Sequence, residues 1–311
     1  MSAQKEDETA PELREVLLTQ FTCQLYKIRA HGEVVQVLHS PLAKTGALTA
    51  SLHFALGLAL FELKQFAAAA EQMRQCVSLR RRPVFSPINT DVLTTAPEHC
   101  LALSLAKTGD AAGAEKAFLA ALAGPGRVAD VKLDFAKFLA AQNRSIEAFH
   151  KLHELVAANS RNLAAWRTGG EIALGRPEFL EFAGNWTAEA MRYVAEDFIV
   201  SRQRAETLLL GGDMKMAAKL WERLWNSERQ PVILAALILC ETLAAQARHA
   251  PDRIVDEPAT SRAFIKWYQK LIAMRAHKIV MQINDRLDEF SRTLPTAVGM
   301  LEKALAEPQR S

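Results

Sequence analysis

The chain has no paired cysteines, no long apolar run and no excess of one charge. Its four cysteines, Cys23, Cys76, Cys100 and Cys240, stand singly, and no CxxC occurs. Single thiols among helix-forming residues behave as small hydrophobes, so they read as reduced structural residues. The most apolar stretch, Val232 to Leu239, is far shorter than the roughly 20 residues of a membrane span, so membrane insertion is not expected. The first residues, Met1 to Glu8, are acidic and lack an apolar core, unlike a secretory signal; a cytoplasmic protein is the expectation. Lysine and arginine number 38 against 35 aspartates and glutamates. A balance this even points away from nucleic acid, whose binders concentrate basic charge on one face. Glycine is scarce, with 14 in 311 residues, while alanine and leucine abound, which favours helix. Half the residues are apolar and 23% charged, the composition of a globular chain and not a disordered one.

Catalytic signatures are missing too. There is no glycine-rich phosphate loop, no GxSxG, no HExxH and no DxD. No alternating strands indicate a cofactor domain, and no cofactor or metal is expected. His150, His153 and Glu154 share a helix with Glu147, but a metal needs a third and usually a fourth ligand at defined distances. They read as surface residues. Glu98, His99 and Cys100 are adjacent, and neighbours on a helix point in different directions, which argues against a catalytic cysteine. Arg80, Arg81 and Arg82 close a helix, where positive charge suits the helix dipole; a nuclear signal or a phosphate contact is the lesser reading.

What is present is a repeat. A helix ending at Gly109 is followed by one carrying Ala114, Phe118 and Ala121. A helix ending near Gly212 is followed by one carrying Ala217, Trp221 and Leu224 at the same spacing. Turns at Lys64-Gln65 and Asn143 precede Ala69, Met73, Cys76 and Ala148, Leu152, Leu155. From Ala114 to Ala148 is 34 residues; from Ala148 to Ala217 is 69, two periods and one insertion near Gly175-Arg176-Pro177. Arg81–Thr95 contains Pro83 and Pro87, which break helix, and reads as an inserted loop.

These units resemble the tetratricopeptide repeat, a helix–turn–helix of 34 residues. Leu56-Gly57 matches its LG pair, Trp166 its tryptophan and Gly170 its glycine, while Pro125 and Pro231 lie near its proline. The resemblance covers Ala50 to Pro231. It departs in lacking the tyrosine and in placing Gly169 where leucine is usual. It implies an all-α fold: an α-solenoid of stacked helix-turn-helix repeats, a right-handed superhelix with helical caps at both ends. Five units are expected, at 50–83, 95–128, 129–162, 163–197 and 198–231. Residues 1–10 read as a disordered tail and 11–49 as capping helices. Residues 232–311 read as a C-terminal cap with a long amphipathic helix over 261–294, stopped by Pro295. That helix either covers the open end of the array, or forms a homo-oligomer interface or a dock for another domain.

The resemblance also implies a job: recognition of a protein or peptide on the concave face lined by the first helices. Two positions one turn apart contact ligand in this family. Here they are Phe54 and Leu58, His99 and Leu103, Leu133 and Lys137, Arg167 and Glu171, and Arg202 and Glu206, with Phe61 one turn further. The pairs Arg167–Glu171 and Arg202–Glu206 are spaced to neutralise each other, at about 0.2–0.5 kcal/mol each. The alternative is that the arginines orient an extended peptide while the phenylalanines give apolar contact. Leu58, Leu103, Lys137, Glu171 and Glu206 occupy the places where chaperone-binding members carry asparagine, so the carboxylate clamp is absent. A scaffold or adaptor is therefore the first reading. A helical accessory module acting with a bacterial glycosyltransferase is the second, and a stand-alone enzyme the third.

Overall fold

A computed structural model describes residues 11–39, 43, 48–84, 90–243, 258–273 and 280–281. Among these are fourteen α-helices and no strand: α1 (Pro11–Lys27), α2 (His31–His39), α3 (Ala50–Glu62), α4 (Phe66–Leu79), α5 (Ala96–Thr108), α6 (Ala111–Ala123), α7 (Val128–Ala141), α8 (Ser145–Ala158), α9 (Leu163–Leu174), α10 (Leu180–Tyr193), α11 (Phe198–Leu210), α12 (Met214–Ser227), α13 (Pro231–Leu243) and α14 (Pro258–Ala273). The proposed tail 1–10 lies outside the described residues, as does most of the 261–294 helix beyond Ala273. The chain divides into two units, Met1–Lys151 and Leu152–Ser311, with the boundary inside α8.

Local chemistry sets the helix ends. Asp110, Asn162, Asp197 and Asp213 each accept a backbone N–H three residues on, at 2.9–3.1 Å, satisfying a donor left free by the first helical turn. Gly109, with φ at 86°, closes α5 in the left-handed region, where a side chain would be strained. Lys64 and Asn143 adopt the same region at φ of 60° and 63°, and their turns separate α3 from α4 and α7 from α8.

In the first unit, successive helices pack on one another: α3 on α4, α4 on α5, α5 on α6, and α6 on α7. The first helices also meet one another, α3 with α5 and α5 with α7. Small residues line the hairpin contacts. Ala69, Ala102 and Ala114 are fully buried, because only a short side chain lets two helices close to contact. Large residues fill the gap to the next hairpin: Phe118 stacks on Phe135, ring centres 5.1 Å apart, and also meets Phe138. The inserted segment is not wholly a loop. Residues 85–89 lie outside the described ones, but Thr90–Leu93 forms a 3-10 turn whose Val92 is fully buried beside Phe54 and Cys100. Burial of one valine anchors a stretch whose prolines prevent a regular helix.

The second unit repeats this logic with α9 on α10, α10 on α11, α11 on α12, α12 on α13 and α13 on α14. Pro177–Phe179 is a 3-10 turn that absorbs the inserted residue between α9 and α10. Trp166 and Trp221 are buried at the two hairpins. Trp186 of α10 meets Trp166 edge to face at 4.6 Å.

Candidate functional site

The first helices α3, α5 and α7 lie side by side in the first unit, which brings their inner positions together there. Phe54 is not among the accessible ones. Its ring is only 4% exposed and packs with Met73, Cys76, Val92 and Cys100, so the expectation that it offers apolar contact to a partner is corrected. The 3-10 turn around Val92 supplies the extra core that takes the ring in. Leu58 and Phe61 remain half-buried at the edge of that core, and Phe61 meets Phe66 edge to face at 5.3 Å. Leu103 of α5 and Leu133 of α7 are also half-buried.

Helices α5 and α7 also carry a charged trio. His99 on α5 meets Asp134 on α7 through Nε2 and Oδ2, 3.1 Å apart. Lys137, exposed and one turn further along α7, donates from Nζ to the other oxygen of Asp134 at 3.0 Å. Burial pushes the Asp134 carboxyl up, but the hydrogen bonds from His99 and Lys137 outweigh it and hold the group below its ordinary value. Asp134 was missed in the sequence. The only signal was its distance of 35 residues from His99, about one repeat.

In the second unit the charges find different partners from those expected. Arg167 does not pair with Glu171. Its guanidinium grips Asp197 in a bidentate contact, Nε lying 3.1 Å from Oδ1 and the second nitrogen closing on Oδ2. Asp197 is also the cap of α11, accepting the Val200 N–H at 2.9 Å, so its carboxylate is fixed where the arginine can reach it. Glu171 is exposed. Glu206 does not pair with Arg202 either. It is 7% exposed and forms an ion pair with Lys270 of α14. Arg202 is half-buried, and no ion pair reaches it among the described residues. Burial, with the Arg202 guanidinium close by, lowers the Lys270 ammonium to about 8. Helix packing decides both: Asp197 is held as the α11 cap within reach of Arg167, and Lys270 of α14 meets Glu206.

The other clusters also resolve. Glu98 turns to Arg80, 2.6 Å away, while His99 turns to Asp134 and Cys100 is buried. Burial pushes the Cys100 and Cys76 thiols up to about 12, the opposite of what a nucleophile requires. Among the described residues no group of three or more histidine, cysteine, aspartate or glutamate side chains could hold a metal ion. No described helix is long and apolar enough to cross a membrane.

No family model matches the sequence, and no curated protein does. Solved structures do match in shape. The C-terminal part of a TPR repeat-containing protein from Cytophaga hutchinsonii is similar at a TM-score of 0.57 and 13% identity, over 84% of this chain and 99% of that one. A tetratricopeptide repeat protein from Parabacteroides merdae is similar at a TM-score of 0.52 and 11% identity, over 86% of this chain and 98% of that one. The fold is thus the all-α helical-repeat fold of the tetratricopeptide type, the class to which the repeat spacing pointed.

Proposed function

We propose that the chain is a protein-binding scaffold or adaptor whose inner helical positions hold an extended segment of a partner. The observation that carries this reading is the composition of the first unit's inner positions. Half-buried Leu103 and Leu133 share α5 and α7 with the His99–Asp134–Lys137 trio, and half-buried Leu58 and Phe61 stand on α3, which packs on α5. Half-buried apolar side chains on adjoining helices form shallow seats, and a charged group beside them fixes direction. Lys137 is exposed enough to keep donors for a partner while one bond holds it to Asp134. The segment that fits has apolar anchors next to an acidic side chain. The second unit has candidate charged contacts of its own, exposed Glu171 and half-buried Arg167 and Arg202. Helical-repeat folds serve such roles because each repeat adds surface without needing a closed core.

The test is affinity capture with the folded chain, followed by titration of the purified partner. Leu103→Asp and Lys137→Ala, combined, are expected to weaken that partner at least about tenfold, a loss of roughly 1.4 kcal/mol. Arg167→Ala with Arg202→Ala reports on the second unit in the same assay. A partner held equally by wild type and by both double variants would refute the inner-position reading and point to another surface.

A further inference from the structure

The outer side of α1 carries an apolar stripe that the proposed function does not use. Leu13, Leu17 and Phe21 stand four residues apart and Ile28 seven further on, a spacing that puts all four on one helix face. The Ile28 N–H still bonds the Gln24 carbonyl at 3.1 Å, so the face runs to the very end of the helix, where Arg29 turns the chain at a φ of 60°. Each of the four side chains is more than half exposed. The opposite side of α1 is already committed. Thr22 is fully buried there, and Leu18, Leu25 and Tyr26 pack against the core of Val34, Leu38, Leu52 and Leu56. A single exposed leucine is ordinary; four large apolar side chains in line on one helix mark an interaction face. A cap that ends a helical array turns a polar face outward. Helix α1, which packs on α2 and α3, does not.

We propose that two copies of this chain associate through α1, the two helices lying antiparallel about a two-fold axis. Charge favours a second copy over another occupant. The sequence leading into α1 carries Glu6, Asp7, Glu8 and Glu12 against Lys5, while exposed Lys27 and Arg29 stand at the other end. Antiparallel pairing sets the acidic start of each helix beside the basic end of the other, twice over; parallel pairing would set like beside like. The face is also its own complement, as a two-fold interface requires. With the axis between Gln20 and Phe21, Leu13 of one copy faces Ile28 of the other. Exposed Gln20 and Gln24 fall in the middle of the face, and an amide both donates and accepts, so each finds a partner among its own kind. At 1.5 Å per residue the 17 residues of α1 span about 25 Å. One face of that length supplies less than the roughly 800 Å² per partner of a standard interface, so the association is weak, with Kd on the order of 10 µM.

Sedimentation equilibrium of the full chain, from about 1 to about 300 µM, tests this. The expected result is a mass that climbs from 34.4 kDa toward twice that value. Leu17→Asp combined with Phe21→Asp should weaken the dimer at least about tenfold and leave the melting temperature of the dilute protein unchanged, because both side chains are exposed. Lys27→Glu with Arg29→Glu should weaken it several-fold, and less so in high salt. Orientation is read by disulfide trapping in a Cys23→Ser background: Leu13→Cys and Ile28→Cys chains should cross-link with each other on mixing, and neither with itself. A chain that stays monomeric across the range overturns the proposal. So does a dimer indifferent to Leu17→Asp with Phe21→Asp, which places the contact elsewhere. A monomer that the same substitutions destabilise has this face covered from within the chain, and self-cross-linking of Leu13→Cys means parallel helices; either result also overturns it.

Discussion

The indole of Trp186 lies against the backbone of Gly169, where any side chain would have to stand. Its Nε1 donates to the carbonyl of Trp166 at 2.9 Å, and a β-carbon on Gly169 would overlap the ring. This explains the departure from leucine at that position: the second helix of the hairpin brings a tryptophan, and the first makes room by having nothing. The adjoining Gly170 does the same for Gln203, whose Nε2 donates to the Arg167 carbonyl at 2.8 Å.

Gly169→Ala is expected to destabilise the protein by about 1–3 kcal/mol through overpacking. Trp186→Phe should reduce that cost, since the smaller ring frees space. Urea denaturation of the two single variants and the double variant measures the coupling. Additive effects would show that the indole and the glycine do not depend on each other.

Ala114 is fully buried where α5 and α6 pack. Ala114→Leu should cost roughly 1–3 kcal/mol, read as a lower melting temperature. Leu119, exposed on the same helix, provides the control: Leu119→Ala should change stability by no more than about 0.5 kcal/mol.

Asp197 serves twice, as ion-pair partner and as helix cap. Asp197→Ala is therefore expected to cost about 1 kcal/mol or more from the cap, whereas Arg167→Ala costs only about 0.2–1 kcal/mol because the guanidinium is partly exposed. Burial raises the Asp197 carboxyl, but the Arg167 and Val200 hydrogen bonds overcome this and leave its pKa lowered. A lowered carboxylate contributes stability that is complete above the unfolded value of about 3.9 and lost as pH falls through the folded value. Asp197→Asn should remove that part of the acid-limb dependence. A variant whose stability falls below pH 4 as steeply as wild type would contradict the assignment.

With their thiols pushed up to about 12 by burial, Cys76 and Cys100 should resist a thiol-specific disulfide reagent at pH 8 in the native protein. Burial keeps both groups as thiols at that pH, and the thiolate is the form that reacts. Half-buried Cys23 should react first, and all four should react in urea. Rapid native labelling of Cys76 or Cys100, located by mass spectrometry, would count against this core.

Much of the architecture was legible because its signals are local. Ala69, Ala114 and Ala217 mark hairpin contacts, and Gly109 and Asn143 mark turns, since each acts on residues within one repeat. The candidate site was less legible. Leu58, Phe61, Lys137 and Glu171 keep accessible surface, but Phe54 is drawn inward by Val92 from a segment that reads as loop. The i to i+4 spacing of Arg167 and Glu171 suggested a pair that does not form.

The sequence by itself determined the helices, their caps and the alternation of small and large residues, because these follow from backbone hydrogen bonding and from side chains a few positions apart. Only the tertiary structure decided which charges meet. His99 with Asp134, Arg167 with Asp197 and Glu206 with Lys270 are joined across 30 residues or more. An ion pair depends on where helix packing places two ends, and no spacing along the chain encodes that distance.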